Sequence, residues 1–356
     1  MRRWLPAAAS TSIFGLQALG RHMSDFVQFP EEKYVAAGNV FAAFDPTKAS
    51  YKIENARALM WFSQLAYEVD NTGAERTTDM IERIRTRWEF ASVTPIRRQA
   101  VAFDGIFNTT GLIGERADAV ILAFAGTDVG AWETVATDAG FALDPETDVH
   151  KGFQAALEPV VQFVDRAAEL SHPTQRPLFI AGHSLGAALG ILAAMRLNDR
   201  PPRAVYGFGT PRPGGATFQA NYNSRFGDVT YRLVHGHDLV ARVPMSFVGY
   251  HHVGRTLLCA ANTRFAHAQF LPGRPDEPDF TIDTLRATFT VVNLGQAPGF
   301  FIAAAAGALG AGAARQAALN ALLQPPGQGR LRDVFRALPT SIREHLQDSY
   351  IKALAP

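Results

Sequence analysis

The chain has 356 residues, of which 47% are hydrophobic and 19% charged, and its formal net charge is +1. This length allows a large buried core, and the composition is that of a globular protein. A balanced charge without a long basic run excludes the electrostatic footprint of a nucleic-acid-binding protein. The single cysteine, Cys259, cannot form an intramolecular disulfide bond, which permits a reducing compartment without requiring one.

Residues 1–50 show little periodicity and are predicted to form an N-terminal extension. Met1-Arg2-Arg3 and the stretch from Trp4 to Leu19 have the charge and length of a signal peptide. Polar residues dilute the apolar part, however, and no clear small-x-small cleavage site follows it. The pattern therefore favours a cytoplasmic or peripheral-membrane location over secretion without deciding between them.

Residues 51–294 are predicted to form one α/β domain. Apolar side chains recur at helical spacing from Tyr51 to Tyr67. Alternating patterns at Arg97–Phe107 and Gly111–Arg116, on either side of residues 108–110, predict a β-hairpin. Short apolar runs then alternate with stretches of helical period; the runs are Ala119–Phe124, Leu178–Ala181, Ala204–Phe208, Val229–Val234 and Thr256–Cys259, and the helical stretches include Phe153–Leu170 and Ala187–Leu197. Strands that alternate with helices predict a mostly parallel sheet with helices on both faces.

The C-terminal part has a different composition. Residues 295–330 form a predicted Ala/Gly-rich insertion, and its almost uncharged run Pro298–Leu323 is long enough to span a bilayer. Alanine and glycine contribute little transfer free energy, and Arg315 lies inside the run, so a flexible or interfacial insertion or a buried helix is favoured over a spanning helix. Residues 331–356 are predicted to be a helical region interrupted at Pro339.

Residues 182–186 have the pattern G-x-S-x-G. They follow the apolar run Pro177–Ala181 and precede Ala187–Ala194, a small-residue stretch of helical character. A strand, a sharp turn and a helix in this order expose a serine hydroxyl, and the two glycines leave room for the crowded turn. We therefore predict that Ser184 is a nucleophile. The alternative is a glycine-rich turn whose serine has no chemical role.

A serine nucleophile needs a base, and the base needs an orienting carboxylate. Reacting groups in a parallel sheet gather at the carboxyl ends of its strands. Asp238 lies just past the predicted strand Val229–Val234, whereas Asp228 precedes that strand. Asp238 is therefore the predicted acid, and the alternative is an aspartate that caps a turn or a helix.

His251 and His252, just before the last predicted strand, are candidates for the base. Adjacent residues in an extended chain point in opposite directions, so only one of them can face the serine, and local chemistry does not choose between them. The developing oxyanion needs two donors. One is expected to be the backbone N–H of Leu185, directly after the nucleophile, and the other to lie in the loop after the Ala119–Phe124 strand.

These motifs, taken together and in this order, resemble the class 3 lipases, the family that includes the fungal triacylglycerol lipases. The likeness covers roughly residues 51–258 and is carried by residues 124–127 (F-A-G-T), 149–153 (V-H-K-G-F), 182–186, 208–214 (F-G-T-P-R-P-G), 231–244 and 250–254 (Y-x-H-x-G). The resemblance implies an α/β-hydrolase fold, His252 as the base and Thr127 as the second oxyanion donor. The order Ser184, Asp238, His252 also fits the order of triad residues in α/β-hydrolases.

Lipases of this family carry a lid between the oxyanion loop and the H-x-G-F segment. The corresponding stretch here is Val129 to Val149, with Trp132, Val135, Phe141 and Leu143 as its apolar contacts. A mobile lid would make activity depend on an oil–water interface. A loop that stays closed is an equal alternative.

The predicted function is hydrolysis of carboxylic esters of lipids, with a lipid or ester as the small-molecule partner, possible contact with a lipid interface, and no cofactor or metal. Alternatives on the same triad are a phospholipase, an esterase for water-soluble esters and a peptidase. A catalytically inactive relative that contacts membranes through its Ala/Gly-rich tail is another. A metal-binding module is the alternative from a different class, because histidines cluster around Asp238 at His235, His237, His251 and His252.

Overall fold

The computed structural model describes residues 28–69, 75–102, 105–126, 142–172, 175–197, 199–271 and 340–356. Within these ranges eight strands form one sheet, and each strand pairs with the next one in the chain. The strands are β1 (Ser92–Ala102), β2 (Gly105–Glu115), β3 (Val120–Phe124), β4 (Leu178–His183), β5 (Ala204–Phe208), β6 (Thr230–His235), β7 (Arg255–Cys259) and β8 (Gln269–Phe270).

The centre of the sheet is parallel and its edges are antiparallel. Strands β3 to β7 run in the same direction. The β1–β2, β2–β3 and β7–β8 pairs are antiparallel. Parallel neighbours require crossover connections, which helices supply here. The carboxyl ends of β3 to β7 therefore meet at one edge of the sheet.

Helices cover both faces of this sheet. In the described part of the chain the α-helices are α1 (Glu31–Ala37), α2 (Ile53–Leu65), α3 (Glu75–Arg87), α4 (Lys151–Leu157), α5 (Val161–Leu170), α6 (Leu185–Arg196), α7 (Ala216–Phe226), α8 (Thr340–His345) and α9 (Gln347–Leu354). Alternate side chains of β3 divide between two cores, since successive strand residues point to opposite faces. Val120 and Leu122 pack in the core that contains α4 to α7, and Ile121 and Ala123 pack in the core that contains α1, α2, α3 and α9. The predicted α/β-hydrolase fold is confirmed.

The predicted hairpin forms, but its turn lies elsewhere. Ala102 pairs with Gly105, and residues 108–110 lie inside β2 opposite residues 97–99. Two of the three residues at 108–110 are β-branched threonines, which favour strands. The dipeptide Asp104-Gly105 is the stronger hairpin signal in the sequence.

Residues 28–50 pack against the domain and are not an extension outside it. Phe41 is 1% exposed, and its ring lies 4.9 Å from that of Phe90 and 6.0 Å from that of Phe62 in α2. Phe44 packs edge-on against Phe179 of β4 at 5.0 Å. The boundary predicted at residue 50 therefore does not separate residues 28–50 from the domain, because these aromatic side chains complete its core.

Only part of the C-terminal region for which we made predictions lies within the described residues. Residues 272–339, which include the Ala/Gly-rich insertion and Pro339, lie outside the described residues, as do residues 1–27. Helices α8 and α9 are separated at Leu346, whose ψ of 147° is extended. Of the helices in the described ranges, none combines the length and the apolar character that crossing a bilayer requires.

We expect Phe41→Ala to lower the free energy of unfolding by about 3–5 kcal/mol, because a large buried side chain is removed from a packed aromatic cluster. Urea unfolding measures this. The control is Val35→Ala on α1, since Val35 is 44% exposed and its truncation should change stability by no more than about 0.5 kcal/mol. Equal effects of the two substitutions would show that residues 28–50 are not part of the core.

Candidate active site

The nucleophile turn has the geometry that its sequence predicts. β4 ends at His183, α6 begins at Leu185, and Ser184 between them has φ 61° and ψ −133°. A positive φ is uncommon for a residue with a side chain and is typical of a strained turn at a functional site. A Cβ on Gly182 would overlap the backbone of Gly186, and a Cβ on Gly186 would overlap the carbonyl of Phe124. Both glycines are therefore required by close backbone approach.

The imidazole that reaches Ser184 is that of His345. Its Nε2 lies 2.9 Å from Ser184 Oγ. Its Nδ1 lies 2.9 Å and 3.0 Å from the two carboxylate oxygens of Asp238. The structure thus brings Ser184 and Asp238 together, as expected, through a histidine that the sequence analysis did not identify.

The expectation that His252 is the base is wrong in this structure. His252 Nε2 donates to the carbonyl oxygen of Ala241 at 2.7 Å, and the ring is buried. Burial, helped by the positive charges of Arg232 and Arg212, holds the pKa of His252 well below its usual range. The neighbouring His251 donates its backbone N–H to the carbonyl of Gly214.

The direction of β7 explains this error. β7 is parallel to β6, and its first residue, Arg255, pairs with Tyr231 near the start of β6. His252 precedes β7 and therefore lies towards the amino ends of the strands. Asp238 follows β6 and lies at their carboxyl ends. A histidine that precedes a parallel strand is at the wrong edge for a base, and the same rule that selected Asp238 excludes it.

His345 lacks a local motif that would have identified it. It lies in the C-terminal helical region, and no other histidine follows His267 in the chain. The triad order of acid before base still holds, because residue 345 follows Asp238. That order and the absence of another histidine in the last 89 positions were the available signals.

Asp238 is a fully buried carboxylate with several donors. It accepts hydrogen bonds from the backbone N–H of Val240 at 2.8 Å and from the hydroxyl of Tyr350 at 2.6 Å, besides the bond with His345. Burial raises the pKa of Asp238, but the charge of His345 and the hydrogen bonds from His345 and Tyr350 outweigh it and hold the pKa below its usual value. The site therefore contains an ionised acid, although water does not reach it.

A second imidazole lies behind the base. His183 Nε2 is 2.7 Å from the carbonyl oxygen of His345, which can only accept, so Nε2 carries the proton. Burial, and then the neighbouring His345, lower the pKa of His183 to about 3. In the neutral ring Nδ1 is an acceptor, and the hydroxyl of Tyr67 donates to it at 2.7 Å. A neutral His183 thus supports the backbone of the base.

Of the two expected oxyanion donors, only Leu185 lies within the described residues. The N–H of Leu185 belongs to the first turn of α6, where backbone N–H groups have no partner within the helix. Thr127 lies outside the described residues. Gly126, the last described residue before Thr127, lies next to Ser184, since Phe124 pairs with Gly182 and a Cβ on Gly126 would lie 2.7 Å from Ser184 Cβ.

The lid prediction falls mostly outside the described residues, which resume at 142. Leu143 forms an isolated bridge with His150, and Val149 forms one with Gly214. The carboxylate of Asp148 accepts the backbone N–H of Thr217 at 2.8 Å. The end of the predicted lid is therefore anchored to the domain.

The alternative of a metal site receives no support from the ranges that the structure describes. They contain no group of three or more His, Cys, Asp or Glu side chains that could hold a metal ion. His235 packs against the ring of Tyr350 at 6.0 Å, and His237 lies 3.5 Å from Glu344. The histidines near Asp238 in the sequence thus have different neighbours.

The neutral state of His183 predicts how stability depends on pH. The folded chain keeps His183 unprotonated down to a pKa of about 3, against an ordinary value of 6.5. Between these values the unfolded chain binds a proton that the folded chain does not, so the free energy of unfolding falls as the pH is lowered from 6.5 towards 3. One proton contributes at most about 1.4 kcal/mol per pH unit. Urea unfolding at a series of pH values measures the slope.

The matched variant for this prediction is His183→Gln, which does not titrate in this range. Its unfolding free energy should depend less steeply on pH than that of the parent, even if it is less stable overall. Identical slopes for parent and variant would mean that His183 is not held neutral in the fold.

Residues 121–248 match the model of the lipase (class 3) family. The secreted mono- and diacylglycerol lipase 1 of Fusarium solani is 32% identical over 150 residues, which are 41% of this chain and 41% of that protein. The secreted mono- and diacylglycerol lipase LIP4 of Malassezia restricta is 33% identical over 129 residues, 33% of this chain and 42% of that protein. The chain thus spans about two fifths of the length of these relatives. The solved structure of lipase II from Rhizopus niveus has a TM-score of 0.46 and 22% identity, covering 64% of this chain and 89% of that chain.

These relatives also correct the predicted location. The two relatives are named as secreted proteins. They point to secretion, and the preference for a cytoplasmic or peripheral-membrane location is therefore wrong. The resemblance to the class 3 lipases inferred from the motifs is confirmed over residues 121–248, which match the model of that family.

Proposed function

We propose that this chain hydrolyses carboxylic esters of lipids through an acyl-enzyme intermediate on Ser184. The observation that carries the proposal is the continuous hydrogen-bonded chain from Ser184 Oγ through His345 to Asp238, with each link at about 3 Å. A nucleophile, a base in bonding distance and a carboxylate that orients the base are the parts that acyl transfer needs.

In the proposed reaction Ser184 Oγ attacks the ester carbonyl carbon while His345 Nε2 takes the hydroxyl proton. Asp238 keeps the proton of His345 on Nδ1 and stabilises the imidazolium that forms. The backbone N–H groups of Leu185 and Thr127 receive the developing oxyanion. Collapse expels the alcohol, which takes the proton from His345. Water then attacks the acyl-enzyme, with His345 again as the base, and releases the carboxylic acid and free Ser184.

The surroundings of the base favour this transfer of charge. The rings of His183 and His345 are 4.7 Å apart, so a second positive charge on His183 would oppose protonation of His345. Because burial lowers the pKa of His183 to about 3, it stays neutral near pH 7. The ionised Asp238 is then the closest charge to His345 in the described site, and it stabilises the protonated base.

The substrate class follows from the relatives, which are named mono- and diacylglycerol lipases. We infer that this chain cleaves fatty acyl esters of glycerol, with a phospholipase or an esterase for water-soluble esters as the alternatives. The same triad serves all three activities, and the acyl pocket and its loops discriminate among them.

We expect Ser184→Ala and His345→Gln each to lower kcat/KM for a p-nitrophenyl ester by about 10⁴-fold or more, because the nucleophile and its base act as a unit. His252→Gln is the matched control: it also replaces a buried histidine but should keep turnover per folded molecule within about threefold, since it removes no group at the nucleophile. Circular dichroism confirms that each variant is folded. A severe loss in His252→Gln together with an active His345→Gln would refute the assignment of the base.

A second measurement tests the substrate class. Emulsified acylglycerols should be hydrolysed in preference to phospholipid vesicles and to short-chain water-soluble esters, because an acylglycerol combines an ester with an apolar chain and no charged headgroup. Initial rates on the three substrate forms at equal ester concentration measure this, with Ser184→Ala as the blank. Faster hydrolysis of phospholipids or of dissolved short esters would select the corresponding alternative.

A further inference from the structure

Glu344, the residue directly before His345, makes a contact of its own with residues 236–238, which follow β6 and are called the acid loop because they end at Asp238. Oε2 of Glu344 accepts the backbone N–H of His237 at 2.7 Å and lies 3.5 Å from the Nδ1 of the same residue. Glu344 is buried, with 8% exposure. Its neighbour His345 bonds to Asp238, the neighbour of His237. Two adjacent residues of one segment therefore pair with two adjacent residues of the other.

The backbone of the acid loop leaves room for this carboxylate. Gly236 has φ +57°, a conformation that favours glycine, and a Cβ there would lie 2.5 Å from the carboxyl carbon of Glu344 and 2.6 Å from its oxygens. The N–H of Gly236 donates to the carbonyl of Cys259 at 2.7 Å, which ties the loop to the end of β7. The carboxylate of Glu344 is thus seated on a segment that the sheet holds in place.

Glu344 is not placed where it would stabilise α8, the helix to which it belongs. The residue lies in the last turn of α8, where the partial negative charge of the helix end disfavours a carboxylate. The hydrogen bond from the N–H of His237 compensates for this position, since a bond to a charged acceptor is about twice as strong as a neutral one. The favourable contact of Glu344 is therefore with the acid loop.

We infer that Glu344 is a positioning residue that holds His345 in register with Asp238 and Ser184. This inference rests on the proposed hydrolase function and adds to it a residue outside the triad. The pair of Glu344 with His237 sets the separation of the two segments one residue away from the pair that orients the base. Without the Glu344 contact, His345 keeps its bonds to Asp238 and His183 but loses one restraint on its position relative to Ser184 Oγ.

A shifted base affects the chemical step more than substrate binding. A displacement of about 1 Å in a reacting group can lower a rate by about 100-fold. Glu344 pairs with the acid loop and does not contact the Ser184 hydroxyl in the described hydrogen-bond network, so KM should change little. A loss confined to kcat is therefore the expected signature.

The first test compares Glu344→Ala, Glu344→Gln and Glu169→Ala in the full chain on a p-nitrophenyl ester. Glu344→Ala should lower kcat per folded molecule by about tenfold or more, with KM within about twofold. Glu344→Gln keeps an oxygen acceptor for the His237 N–H and should recover kcat to within about threefold of the parent. Glu169 is an exposed carboxylate paired with Arg166, and its removal should leave kcat unchanged.

The second test acts on Glu344 without removing it. Gly236→Ala places a methyl group on the carboxylate of Glu344, whereas Gly249→Ala introduces a methyl at another positive φ, +91°, with nothing within 4 Å. Both carry backbone strain, but only Gly236→Ala should lower kcat. Adding Glu344→Ala to Gly236→Ala should cause little further loss, because both changes disrupt the same contact.

The outcomes separate this inference from the proposed function. If Ser184→Ala retains the parent activity, the hydrolase mechanism itself fails. If Ser184→Ala is inactive while Glu344→Ala turns over like the parent, or while Gly236→Ala and Gly249→Ala lose equal kcat, the positioning role fails and the hydrolase mechanism stands. If Glu344→Ala does not fold, the comparison of Gly236→Ala with Gly249→Ala decides the question.

Discussion

The hydrogen bond between His345 and Asp238 joins residues that are 107 positions apart, and the chemistry of the site depends on it. Asp238 is fully buried, and an ionised carboxylate without partners costs several kcal/mol in such a place. The N–H of Val240 is local, but His345 and Tyr350 both come from the C-terminal segment. Docking of that segment therefore satisfies the buried charge and also brings the imidazole of His345 to Ser184.

Packing, more than ion pairing, holds the C-terminal helix in place. The pair of Lys33 with Asp348 is partly exposed, and such pairs contribute about 0–1 kcal/mol. Tyr350 and Leu354 are fully buried in the core that also contains α1 and α2, and burial of a large apolar side chain contributes about 1.5–3 kcal/mol. Arg57 in α2 donates to the carbonyl of Leu354 at 2.8 Å. Residues 28–50 complete this core, so the same packing that stabilises the fold assembles the site.

The parts that sequence reasoning identified are those that local rules determine. The predicted bounds of β5 agree with the observed bounds to the residue. Ser184 and Asp238 are predictable because each follows a buried strand of a parallel sheet. The resemblance predicts His252 as the base, although His252 precedes a strand and so lies at the opposite edge of the sheet. His345 follows no strand, and only the docking of a distant helix brings it to Ser184. Periodicity describes one element at a time and carries no information on such docking.

His183, the residue between Gly182 and Ser184, connects the nucleophile turn to His345 through a hydrogen bond. His183 extends from the nucleophile turn and donates to the backbone carbonyl of His345, so one imidazole fixes the main chain of the other. This arrangement works only if His183 is neutral, because a charge there would raise the cost of protonating His345 at 4.7 Å. Burial supplies that neutrality by lowering the pKa of His183 to about 3. The apolar packing around the turn thus contributes to the chemistry of the base as well as to the stability of the fold.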